Sequence, residues 1–161
     1  MRNQAEQRRQ LLEMLRGGHA HVSFQDAIAD FPAELRNKKP PHSPWSGWDL
    51  LEHLRLAQWD ILEFIRNPGH VSPPWPSGYW PDQRVHYAPG KWEKSIQSFL
   101  ADRHALEQMV EEPGTDLTAP IPHAQGQSIL REVLLVIDHS SYHLGQMVLL
   151  RRLLGAWTEK S

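Results

Sequence analysis

Residues 138–154 read DHSSYHLGQMVLLRRLL, and where the histidines fall in this stretch decides how the chain folds. The stretch is strongly helical, and the four-residue step from His139 to His143 puts both imidazoles on one helix face, one turn apart. The same face carries Leu135, Val136, Gln146, Met147 and Leu150, most of them apolar, so it turns toward a core. Imidazoles on such a face need partners, because unpaired buried polar groups are costly. One metal ion at about 2.0–2.1 Å from each nitrogen satisfies both. Three ordinary histidines, each hydrogen-bonded to its own surroundings, are the competing reading.

The third histidine lies upstream, in WDLLEHLRLAQWDILEFI, residues 48–65. Here Leu50, Leu54, Ala57, Ile61 and Phe64 repeat at the helical period, which predicts a helix from about Ser46 to Arg66, ended by Asn67-Pro68-Gly69. His53 borders this stripe beside Leu50 and Ala57. Three imidazoles from two helices leave a coordination position open, as catalytic rather than purely structural metal sites do. Ligating histidines commonly donate their other ring N–H to a carboxylate or carbonyl. Asp49, one turn before His53, and Gln146, three residues after His143, are the candidates, although Asp49 also suits the start of a helix as a dipole-stabilising acid.

The rest of the chain reads as helices between Pro-rich connectors. A first helix is expected over Asn3–Arg16, stopped by Gly17-Gly18. Ser23 with Asp26 resembles a capping box and starts a short helix through Ala29, with another turn over Pro32–Arg36. Residues 37–44 hold three prolines and should be irregular. The stretch from Pro68 to Pro89 holds six prolines and little periodicity, the mark of a functional or mobile loop. A third main helix is expected from Pro89, at the first helical position, to Glu112, with Trp92, Ile96, Phe99, Leu100, Leu106 and Val110 inward. An extended piece is expected at Leu117–Ile121, and the last helix over Ser128–Leu154 before Gly155. No alternating pattern is long enough for a sheet. The expectation is an all-α, four-helix bundle, one domain over residues 1–161, with short extra helices near the N-terminus.

Composition narrows the function classes. The chain of 161 residues has no cysteine, which removes disulfides, thiolate ligands and a cysteine nucleophile and fits a reducing, cytoplasmic setting. A net charge of −2 gives no reason to expect nucleic acid or an anionic membrane as partner. No run approaches the roughly 20 apolar residues that span a bilayer, and the polar start MRNQAEQRRQLLEML does not resemble a signal peptide. The segment His139-Ser140-Ser141-Tyr142-His143 lacks the HExxH metalloprotease signature, and neither a GxSxG elbow nor a phosphate-binding glycine loop occurs. Ser140 and Ser141 adjoin His139 in sequence but do not face it on a helix. Trp45, Trp48, Trp75 and Trp80 sit in or beside connectors, where they either cap a small core or line a pocket or subunit interface. Of the remaining histidines, His19, His21, His42 and His104 read as surface residues, whereas His70, His86 or His123 is placed to cover the open metal face.

The motifs WDLLEHL and DHSSYHLGQ, in this order and spacing, resemble the DinB-like family of metal-binding bundles over nearly the whole chain. The resemblance implies an up-up-down-down four-helix bundle with a long second-to-third connection, and a homodimer. It implies metal ligation by one histidine of the second helix and two of the fourth, which by motif position are His53, His139 and His143. Imidazole ligands suit zinc first, with nickel or iron as alternatives. Such an ion brings bound water toward neutral pKa or ligates a substrate thiolate. Among relatives, hydrolysis and low-molecular-weight-thiol transfer on small molecules are the implied chemistries, and a non-catalytic, structural or sensory metal bundle is the alternative.

Overall fold

The computed structural model describes residues 2–82, 87–88 and 90–158. Among them are five α-helices and no strand: α1 (Arg2–Arg16), α2 (Phe24–Ile28), α3 (Gly47–Arg66), α4 (Lys91–Glu111) and α5 (Ile129–Leu153). Short 3-10 turns occur at Ala33–Leu35 and Ser77–Tyr79. The extended piece expected at Leu117–Ile121 is reduced to an isolated bridge between Pro120 and Ser128. No helix among the described residues is long and apolar enough to cross a membrane.

Local chemistry sets the helix ends. α3 opens with a reciprocal capping box: Ser46 Oγ accepts from the Asp49 amide at 3.1 Å, and Asp49 Oδ2 accepts from the Ser46 amide at 2.9 Å. Ser23 and Ser128 cap α2 and α5 in the same way from one side. α4 starts at Lys91, behind Gly90 at φ 86°, and not two residues earlier; Pro89 lies outside the described residues. Gly47, the first residue of α3, is required by packing. A Cβ there would lie 2.4 Å from Phe31 Cε1, inside any van der Waals contact.

The core has two layers. One joins Leu50, Leu51 and Leu54 of α3, Trp92 and Phe99 of α4 and Leu144, Met147 and Leu150 of α5, and α2 with Phe31 closes its end. The other joins Leu11, Leu12 and Leu15 of α1, Leu62 and Ile65 of α3, Leu106 and Val110 of α4 and Val133 and Val136 of α5. α3 packs on both α4 and α5, so its buried stripe broadens to include Leu51, Gln58, Leu62 and Ile65, while Ile61 and Phe64 of the expected stripe lie at its margin. Arg151 closes the α2 end of the first layer. It is 3% exposed, donates to the carbonyls of Ala27 and Ala156, and covers the rings of Phe31 and Trp157.

Helix direction departs from the expected up-up-down-down order. Glu52 meets Ser95 and Gln58 meets the Phe99 carbonyl, so α3 and α4 run parallel. Leu50, Leu51 and Leu54 share a layer with residues 144–150, and Leu62 and Ile65 share one with residues 133–136, so α5 runs antiparallel to α3. Arg8 bonds the Val110 and Thr115 carbonyls while Arg16 pairs with Glu107, so α1 is antiparallel to α4. The order through α1, α3, α4 and α5 is therefore up-down-down-up. The described part of the connector, residues 67–82, runs back along α3 and brings Tyr79 and Trp80 beside His53. At about 3.3 Å per extended residue it easily spans a 20-residue helix of about 30 Å.

Candidate metal centre

The three predicted histidines meet where the first half of α3 faces the middle of α5. His53, His139 and His143 each offer a ring nitrogen, and these nitrogens lie within 4.8 Å of one another. His53 Nε2 is 3.0 Å from His143 Nε2 and 3.0 Å from His139 Nε2. His53 and His143 are 3% and 7% exposed, and His139 is half-buried, so access is from the His139 side.

The far side of each ring decides what the cluster is. His53 Nδ1 lies 2.7 Å from the Tyr79 carbonyl, which can only accept, so His53 carries its proton on Nδ1. His143 Nδ1 lies 2.6 Å from Gln146 Oε1 and donates to it. A neutral imidazole has one N–H. The Nε2 atoms of His53 and His143 therefore both present lone pairs, and their 3.0 Å contact is no hydrogen bond. Burial blocks relief by protonation. It holds His139 down to about 3, helped by positive charge on His143 and His53, and holds His143 down to about 4 against the opposing Gln146 bond. His53 is lowered as well, again chiefly by burial. Two neutral lone pairs, on His53 and His143, thus converge with their outer N–H groups anchored, and His139 Nε2 lies beside them, an arrangement that fits a divalent cation. Tetrahedral ligand nitrogens at the usual bond length lie about 3.3 Å apart, close to the spacing found here.

Gln146 thus stands where the sequence suggested, behind His143. Asp49 does not stand behind His53. Its carboxylate faces the α3 start, holding the Ser46 amide and hydroxyl with Lys39 at 3.6 Å, and the Tyr79 carbonyl takes the His53 proton instead. A backbone acceptor 26 residues away gives no signal in side-chain spacing. The long connector also supplies Trp80, whose ring stacks on His53 at 4.0 Å and 2°; Trp45 stacks on Trp80 at 3.5 Å and 6°. Of the four connector tryptophans, Trp48 is core, Trp45 and Trp80 wall the centre, and Trp75 is 77% exposed. A groove of about 300 Å³, lined by Trp45, Leu50, Gln146, Leu149, Leu150 and Leu153 among others, abuts this wall.

His70 and His123 do not cover the metal face. His70 bonds Asp60 and His123 bonds the Phe64 carbonyl, each at 2.7 Å, and His86 lies outside the described residues. His21 reaches Ser141, whose hydroxyl donates to the Ile137 carbonyl, so Ser141 is no nucleophile toward His139.

The sequence model of the DinB superfamily matches residues 19–147. The chain belongs to the DinB superfamily. The match takes in α2, α3, α4, the connector and all three histidines of α3 and α5, so this DinB-superfamily chain carries its cluster within the shared region. No curated protein and no solved structure matches it significantly.

Proposed function

We propose that this chain is a metal-dependent enzyme acting on a small molecule, of hydrolase or low-molecular-weight-thiol transferase type, with His53, His139 and His143 as ligands. The supporting observation is the pair of anchored, lone-pair-bearing Nε2 atoms of His53 and His143 only 3.0 Å apart. Zinc suits three neutral imidazoles best, with nickel or iron as alternatives. Such an ion supplies Lewis acidity, polarising a carbonyl or stabilising a thiolate. The protein's own part is to fix two rings by Tyr79 and Gln146, to wall one side with Trp80 and Trp45, and to leave the His139 side open. The proposal includes a homodimer, as the family resemblance implies, and a cytoplasmic setting, which the absence of cysteine suits.

A non-catalytic metal bundle is the second reading, favoured by the depth of His53 and His143. Zinc-loaded protein, screened against ester, amide and thiol-conjugation substrates, separates the two. Turnover that is lost in His139→Ala supports the enzyme. Turnover unchanged in that variant places the activity elsewhere, and no turnover with a large zinc-dependent rise in melting temperature supports the structural role.

A further inference from the structure

Two turns beyond His53 on the same face of α3, about 10 Å along the helix, Asp60 is 8% exposed and makes no contact in the histidine cluster. Its two carboxylate oxygens are both engaged by the connector after α3. Oδ1 lies 2.7 Å from His70 Nε2, and Oδ2 accepts from the Tyr79 hydroxyl at 2.7 Å. His70 is packed edge-on against Trp59, which holds that end of the connector to α3. The stretch between these anchors contains Pro73, Pro74 and Pro76. Proline has no backbone N–H, and the main-chain bonds this segment does make, Gly78 to the Pro74 carbonyl and Tyr79 to the Pro76 carbonyl, are local, so the side chains of His70 and Tyr79 add the tie to Asp60 of α3. Tyr79 is where the two roles join. Its hydroxyl is on Asp60, its carbonyl is on His53 Nδ1, and the next residue, Trp80, covers the His53 ring.

We infer that Asp60 is a positioning residue of the metal centre: by clamping Tyr79 and His70 it sets the connector so that the Tyr79 carbonyl and Trp80 fix the tautomer and orientation of His53. The inference rests on the metal reading for its purpose, and the clamp itself is testable without metal. The Asp60 carboxylate is linked to the His53 ring by two hydrogen bonds, both made by Tyr79, one through its hydroxyl and one through its carbonyl.

The test compares Tyr79→Phe, Asp60→Ala and, as a control for simple loss of stability, Val110→Ala at the far layer of the core. Tyr79→Phe removes the hydroxyl and leaves the carbonyl, so it keeps the fold when Asp60→Ala does not. Two readouts are taken: cobalt(II) titration followed by its visible bands, and the exchange rate of the His53 Nδ1 proton by NMR in metal-free protein. Both strap variants are expected to weaken cobalt binding, Asp60→Ala by about tenfold, to shift the visible bands, and to expose the His53 proton to faster exchange. Val110→Ala is expected to melt earlier with binding within about twofold of wild type. Folded strap variants with wild-type cobalt affinity and a protected His53 proton overturn the inference. Wild-type protein that takes up no cobalt sinks the metal reading alone, and the proton exchange still decides the clamp.

Discussion

Replacing Trp80 with alanine tests the wall of the metal centre most sharply. Trp80 lies between two rings, Trp45 at 3.5 Å and His53 at 4.0 Å, both nearly parallel to it. Such close face-to-face pairs are less favourable than offset ones, so each contributes about 0.5 kcal/mol beyond burial, the low end of the aromatic range. A fully buried Trp→Ala change costs about 3–5 kcal/mol; Trp80 is only partly buried, which reduces that part to about 2 kcal/mol. The sum is about 3 kcal/mol. For a domain of this size, that lowers Tm by roughly 6–12 °C. Melting followed by circular dichroism reads the shift, and Trp80→Phe is expected to recover more than half of it. Zinc affinity falls in parallel, because the His53 ring loses one face. A Trp80→Ala protein that melts within about 2 °C of wild type and binds zinc equally well would refute the reasoning.

Gln146→Ala removes the acceptor for His143 Nδ1–H and is expected to weaken zinc binding by about tenfold, read by competition titration with a chelating dye. Asp49→Ala should cost about 1–2 kcal/mol through loss of the α3 cap, read by urea unfolding, with zinc affinity within about twofold of wild type; a tenfold loss would put Asp49 back behind His53. Chelator-treated protein should lose stability as pH falls. His139 and His143 titrate near 3 and 4 when folded, whereas the unfolded chain takes up protons from about pH 6.5 downward. Their contribution is therefore complete above about pH 6.5 and is lost progressively toward pH 4, and a flat urea midpoint between pH 7 and 4.5 would contradict this.

The helices and the histidine cluster were legible in the sequence because both depend on short-range periodicity. The four-residue step from His139 to His143, the stripe beside His53 and the serine caps all lie within one or two turns, where spacing maps directly onto a helix face. What was hidden depends on the path of the connector after α3, described over residues 67–82, which has no period. That path decides that α4 runs parallel to α3, that Tyr79 rather than Asp49 holds His53, and that Trp80 covers the ring. The second half of the α3 stripe was misplaced for a related reason. Burial of Leu62 and Ile65 in place of Ile61 and Phe64 follows from where neighbouring helices sit, and an isolated helical wheel does not contain that information. Asp60, His70 and Tyr79 carried a weaker trace, an acid at i+7 from a ligand facing a connector rich in polar aromatics.

Untagged protein, purified without chelator, dialysed and measured for metal by mass spectrometry beside its His143→Ala variant, bears most directly on the cation cradle. The expected result is about one divalent ion per wild-type chain, chiefly zinc, and a loss of at least tenfold in a variant that keeps its helical spectrum. Wild-type protein that stays metal-free after incubation with zinc, or a folded variant that retains the full complement, would contradict the account.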